Sequence, residues 1–196
     1  GTAVGEAAGN GTKITVNDRE GTRFKDLSRK KSAKGVLDPK SKPLSISFHC
    51  RIPAQENDNQ IIFQKRQSLA NNFSLFLSKS DSTETAELVF GIFSVVSGSI
   101  TKGEFTNVSV VYDPENDEKT KICIGTEFYS SSMATVFDTL MYESADFTIG
   151  TGEQVRINEI IYDQYQSFSG AIDEIKYEHR ALNVQDIIDE RYDTAY

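Results

Sequence analysis

A chain of 196 residues and 21.8 kDa with 29 acidic against 21 basic side chains carries a formal charge of −8. That balance excludes partners that need a basic footprint, nucleic acid and anionic membrane surfaces among them, and no stretch approaches the roughly 20 apolar residues that cross a bilayer. A chain of this length buries roughly 70% of its unfolded surface, enough for one core without staples, and its two cysteines, Cys50 and Cys123, could supply only one.

The opening residues 1–12, GTAVGEAAGNGT, are small, Gly-rich and aperiodic, so they read as a linker or disordered terminus, with the domain running from 13 to 196. No leader segment is visible and the chain does not begin with Met, as expected of a mature or excised fragment. Lys13 to Val16 is expected as a first strand, ended by the turn chemistry of Asn17, Asp18 and Gly21. Lys25 to Lys34 is the one place where positive charge collects, and it reads as a solvated loop.

From Leu44 the strands come at close spacing. Ile46, Phe48, Cys50 and Ile52 point one way while Ser47, His49 and Arg51 point the other, which sets the register. Ile61 to Phe63, Phe73 to Leu77 and Leu88 to Val96 repeat the pattern between Asn, Asp, Ser and Gly clusters, the mark of a sandwich. Ser109 to Tyr112 and Lys121 to Ile124 flank the polar DPENDEK and read as a hairpin. Ala171 to Tyr177 reads as a half-buried strand, with Ile172 and Glu174 on opposite sides of the pleat and Asp173, Ile175 and Tyr177 sharing a face. The period then changes. Asn183 as N-cap, Asp186 in the first turn, and Val184, Ile187 and Ile188 at i, i+3, i+4 spacing predict one short helix packed on the sandwich.

The closing run FSGAIDEIKYEHRALNVQDI, from Phe168 to Ile187, resembles the motif that ends the laminin-G-like domains of the concanavalin A-like lectin/glucanase superfamily. PLSISFHCRIP is similar to that family's early core strand, NQIIFQKR and NFSLFLS to its next pair, and the segment from Gly103 to Phe128 to its long hairpin. The resemblance implies an all-β, concanavalin A-like jelly-roll sandwich of two antiparallel sheets with a short C-terminal helix. It also implies an extracellular or cell-surface module recognising glycan or protein, with a polysaccharide hydrolase or lyase and a structural spacer of a larger surface or virion protein as the alternatives.

Glucanases of the superfamily set their carboxylates at alternate positions on one strand, as a retaining pair about 5 Å apart requires. Here Glu174, Lys176 and Glu178 put a lysine in the middle, and Glu84 and Glu87 have the wrong parity, so no catalytic residue is expected. The two histidines have plain readings, His49 as an aromatic substitute on the sheet surface and His179 as a turn residue. The resemblance points to Ca2+ at Asp173; the alternative is a bond from Asp173 to a loop backbone or to Arg180. The oxygen cluster from Asp113 to Glu118 lacks the spacing of an EF-hand loop and reads as a solvated hairpin tip. Strand parity sets Cys50 and Cys123 on different faces, so both are expected as free thiols. There is no tryptophan, so the candidate sugar platforms are Tyr129, Tyr142, Tyr162 and Tyr165.

Overall fold

The computed structural model describes residues 2–3, 13–18, 37–39, 42–55, 57–115, 119–131, 145–157, 159–162 and 166–192. The first strands along the chain are β1 (Thr2–Ala3), β2 (Ile14–Val16), β3 (Leu44–Arg51), β4 (Gln60–Arg66), β5 (Asn72–Ser78), β6 (Thr85–Gly91), β7 (Val95–Thr101) and β8 (Phe105–Asp113). After them come β9 (Lys119–Ile124), β10 (Glu127–Ser130), β11 (Phe147–Ile149), β12 (Val155–Ile157), β13 (Ile160–Tyr162), β14 (Gln166–Ser167), β15 (Ala171–Glu178) and the helix α1 (Val184–Tyr192). Two sheets face each other, one in the order β1-β15-β3-β8-β9-β10 and the other β2-β11-β4-β5-β6-β7. All pairings along these two paths are antiparallel, and β14 joins β4 in parallel. The sandwich expected from the strand spacing, and the jelly roll that the resemblance implied, is therefore the fold. Thr2 and Ala3 pair with Ile172 and Ala171, so two residues of the expected linker lie in the six-stranded sheet.

The core lies between the sheets and follows from alternation. Ile46, Phe48 and Cys50 of β3, Val108, Val110 and Tyr112 of β8, and Leu75, Leu77, Leu88 and Phe90 of the opposite sheet are all buried in one cluster. Phe63 sits at its centre, with ring centroids 6.0 Å from Phe48 and 5.5 Å from Phe147. Leu88 to Val96 is not one strand. Ile92, Phe93 and Ser94 turn the chain between β6 and β7, a turn whose middle is apolar and whose polar signals are only Gly91 and Ser94 at its edges.

Residues 19–21 of the expected turn lie outside the described residues, and Asp18 itself takes part in the core. It is buried, and its Oδ2 lies 2.8 Å from Nζ of Lys65, a side chain that β4 carries on the core face two residues after Phe63. Lys65 Nζ also donates to the Ala145 carbonyl at 2.8 Å and lies 3.3 Å from Asp38 Oδ1. Asp18 in turn accepts from the Leu37 amide, and its own amide donates to Asp146 Oδ1, both at 2.9 Å. Several segments remote in sequence are thus tied to one ammonium.

The closing strand departs from simple alternation. Between Asp173, opposite His49, and Lys176, opposite Ser47, two residues face one on β3. Glu174 takes φ 52° in this bulge, the one non-glycine residue in the left-handed region among those described. Ile172 and Glu174 do lie on opposite sides, but the bulge also separates Asp173 from the half-buried Ile175 and Tyr177 that pack on the core. A shared face for those three was the wrong reading.

The helix starts where its cap predicts. The Asp186 amide donates to Asn183 Oδ1 and the Asn183 amide to Asp186 Oδ2, each at 2.9 Å, a reciprocal capping box. Ser45 of β3 fixes the approach, donating to the Arg180 carbonyl at 2.7 Å and accepting from the Leu182 amide at 3.0 Å. Ile187 and Leu182 pack on Val111 and Cys123 of the outer sheet face, whereas Val184 remains 52% exposed.

Lys65→Met is expected to cost about 3–5 kcal/mol in urea unfolding, because it strands the buried Asp18 carboxylate without a counter-charge. An unchanged midpoint would show that the ammonium is not needed. The Asn183 amide, with Arg180 beside it, holds the Asp186 carboxyl below its ordinary 3.8. A lowered folded value means the anion's contribution is full above 3.8 and is lost as pH falls through the lowered value. Amide protection at Asn183 should therefore decline on acidification below about pH 4, and Asp186→Asn should flatten that decline.

Candidate functional site

The outer face of the seven-stranded sheet is divided by a flap. Strand β4 is irregular between Ile61 and Phe63, which turns Ile61 outward beside Phe76 of β5. Ile61, Phe76 and Val89 make an apolar patch on that outer face, and the β12–β13 hairpin covers it with Val155 and Ile157. Tyr162 closes the cover, its ring centroid 4.7 Å from that of Phe76. The approach is close enough that a Cβ at Gly91 would lie 1.9 Å from Ile157 Cδ1. The flap backbone is tied down as well, with the Arg156 amide donating to the Leu69 carbonyl at 2.6 Å.

Beside the flap lies a groove of about 440 Å³ over β2, β11 and β4. Its floor comes from outward positions on these strands, Thr15, Thr148 and Gln64, and its rim includes Lys13, Arg66 and Glu153. These groups are held in place. Gln64 Nε2 donates to the Glu153 carbonyl at 2.9 Å and to Ser74 Oγ at 3.2 Å, while its Oε1 accepts from the Glu153 amide at 2.9 Å. Arg66 Nε donates to the Gln154 carbonyl at 2.8 Å and Nη1 to Glu153 Oε2 at 2.6 Å. The result is a polar trough with charge of both signs, fixed before any ligand arrives. Nothing in the sequence singled it out as a site: NQIIFQKR and ADFTIGTGE, which supply most of its residues, resemble strands of the family and carry no binding motif.

On the flap's other side, over β6 and β7, a second groove of about 420 Å³ is lined by Lys79, Ser80, Glu87, Ser97, Ser99 and Tyr129. Tyr129 is half-buried and packs on the main core. Its ring fills the space a side chain at Gly98 would need, since a Cβ there would lie 2.5 Å from Cδ2 and Cε2. Tyr162 is half-buried against Phe76, and that burial, with the charge of Glu87 behind it, raises its hydroxyl above the ordinary tyrosine value. Glu87 is thus common to the surroundings of both tyrosines. Tyr142 and Tyr165 lie outside the described residues, as does the stretch from Lys25 to Lys34.

Asp173 is exposed, and its Oδ1 accepts the Glu174 amide at 3.0 Å, bracing the bulge. Among the described residues no group of three or more His, Cys, Asp or Glu side chains gathers in a way that could hold a metal ion. Glu174, Lys176 and Glu178 project from the outer face of β15, as their alternation suggested. His49 is a half-buried sheet-surface residue, and His179 is exposed and edge-on to Tyr177 at 5.5 Å. Cys50 lies in the core and Cys123 beneath the helix, on opposite faces of one sheet, both free.

A laminin-G family model, described as the concanavalin A-like lectin/glucanases superfamily, matches residues 8–188. No curated protein matches the sequence. Among solved structures, the CBM40 of a Ruminococcus gnavus IT-sialidase, bound to alpha2,3 sialyllactose, superposes with a TM-score of 0.55 at 13% identity, covering 91% of this chain and 97% of that one. A NanB sialidase of Streptococcus pneumoniae gives 0.55 at 17% identity over 94% of this chain and 27% of its own. A native heptameric SAP-like pentraxin from Limulus polyphemus gives 0.53 at 20% identity over 76% and 70%. The chain spans only about a quarter of the length of the sialidase chains it superposes on, 24% in one of them. At these identities the superpositions establish the fold.

Burial pushes the Cys50 thiol up to about 12, and Cys123 is only 2% exposed. A thiol reagent at about pH 8 should therefore label neither in the folded protein and both after unfolding without reductant. A count of zero in the unfolded protein would mean a disulfide.

Proposed function

The chain belongs to the concanavalin A-like lectin/glucanases superfamily, and from that premise we propose that it is a non-catalytic carbohydrate-binding module of an exported or cell-surface protein. Saccharide occupies the polar groove between β2, β11, β4 and the flap. The observation that supports this is the preorganisation of that groove, about 440 Å³ of space with Gln64, Arg66 and Glu153 locked by side-chain and backbone bonds. A pyranose presents a dense ring of hydroxyl donors and acceptors, and a fixed array of amide, guanidinium, carboxylate and hydroxyl groups matches it without an ordering cost. The superposed CBM40 and sialidase structures agree with this choice of ligand class. The second groove, with Tyr129 as its one aromatic wall, extends the same sheet face and can receive a further sugar unit.

The partners of the groove's carboxylates support binding rather than cleavage. Glu153 is held by Arg66 at 2.6 Å and Asp146 Oδ1 accepts the Asp18 amide at 2.9 Å. A glycosidase needs one carboxyl free to reach the leaving oxygen, and in this groove the Glu153 carboxylate is instead engaged by the Arg66 guanidinium.

Calorimetric titration with an oligosaccharide panel is expected to show binding that Arg66→Ala weakens at least about tenfold, the loss of one charge-assisted hydrogen bond of ~1.5–3 kcal/mol. Absence of any heat across the panel would sink the saccharide reading. Release of reducing ends from a polysaccharide would replace it with a hydrolase.

A further inference from the structure

The outer face of the six-stranded sheet carries a second polar constellation, remote from the groove. Its first component is the bulged Glu174. Left-handed backbone suits glycine and disfavours glutamate, yet the side chain placed there sets a half-exposed carboxylate 3.8 Å from His49 Nδ1. Its second component is independent of the bulge. His49 on β3 lies opposite Asp173 of β15 on one side and opposite Asn107 of β8 on the other. Asn107 is 7% exposed, and its amide oxygen is buried with no hydrogen-bond partner. Folded proteins seldom leave such an acceptor without a donor, because the lost hydration is not repaid. Its third component is aromatic. Phe105, two residues earlier on the same face of β8, stands 51% exposed.

We propose that this face is a second saccharide site, in which one sugar hydroxyl donates to Asn107 Oδ1, a neighbouring hydroxyl donates to the Glu174 carboxylate, and the ring packs on Phe105. The half-buried His49 between the two acceptors turns aside to admit the ligand to the Asn107 oxygen. From β15 to β8 the span is two strand spacings, about 10 Å, the scale of one or two sugar rings. A carboxylate and an amide oxygen accept from adjacent hydroxyls, while an aromatic face covers the apolar side of a pyranose. Two sites on opposite faces of the sandwich would make the module bivalent, able to bridge chains of a polysaccharide. The inference rests on the saccharide reading for its ligand class, but it uses none of the groove's residues.

The test is a two-dimensional NMR titration of the full chain with a panel of hexoses, pentoses and N-acetylhexosamines at millimolar concentration. The expected result is a saturable shift of the Asn107 side-chain amide together with His49 and Phe105, for at least one sugar. Asn107→Ala and Glu174→Gly should each weaken that response at least about tenfold while melting no lower than the parent, since one removes an unsatisfied acceptor and the other relieves left-handed strain. Arg66→Ala should leave it intact. Shifts confined to the groove would overturn this second site and keep the first, and shifts confined to Asn107, His49 and Phe105 would do the reverse. No shift at either place, or full retention of the response in Glu174→Gly, would also overturn it.

Discussion

One buried ammonium ties remote parts of the sequence together. Lys65 Nζ, fully out of contact with solvent, is surrounded by Asp18, Asp38 and the Ala145 carbonyl. Removing a lysine from water is costly, and only close opposite charge and additional acceptors offset it. The partners come from the approach to β3, from the residues just past β2 and from the residues just before β11, so the ammonium acts as a register mark for the end of the seven-stranded sheet. Because Asp18 passes the constraint on to Asp146 and Leu37, the position of β2 beside β11, and with it one wall of the candidate groove, depends on the same charge.

The second constraint is the flap. A sheet face that carried Ile61, Phe76 and Val89 to solvent would expose an apolar patch, and the β12–β13 hairpin removes it from water. Covering the middle of the face leaves polar strand positions uncovered on either side, and these become the two grooves. Gln64 shows how the two constraints meet: it lies on the strand that carries Lys65, and it hydrogen-bonds both polar backbone groups of Glu153 at the entry to the flap. The groove is therefore a by-product of how the sandwich covers its own outer surface, with its polar groups set by bonds that the fold needs anyway.

The opposite sheet solves a related problem differently. Its outer face is covered at one end by α1, which buries Cys123, Val111 and Leu182, and at the other end no described residue covers Phe105 or Glu174, which stay about half exposed. There the bulge in β15 sets Glu174 outward beside His49 while Ile172 and Ile175 both stay on the core side. Backbone strain at one residue is small beside the cost of burying a carboxylate.

Much of this architecture was legible in the chain. Ile46, Phe48 and Cys50 alternate as a core-facing strand must, the hairpin around DPENDEK is bounded by its polar loop, and Asn183 with Asp186 fixes the helix start, because each of these depends on neighbours a few residues away. The same local logic misread Leu88 to Val96 as one strand, since the turn at Ile92 to Ser94 is apolar in its middle, and misplaced Asp173 with Ile175 and Tyr177, since one extra residue reverses parity beyond it. It also gave no sign that Asp18 and Lys65 pair in the core, although counting by twos from Phe63 puts Lys65 on the core side. By itself the sequence determined the fold class, the register of the central strands and the capped helix, all set by periodicity and short-range hydrogen bonds. Only the tertiary structure decided which polar side chains became a buried lock, which became a groove and which a bulged surface site, because burial and partnership there arise between segments as far apart as Asp18 and Asp146, a relation that no local pattern encodes.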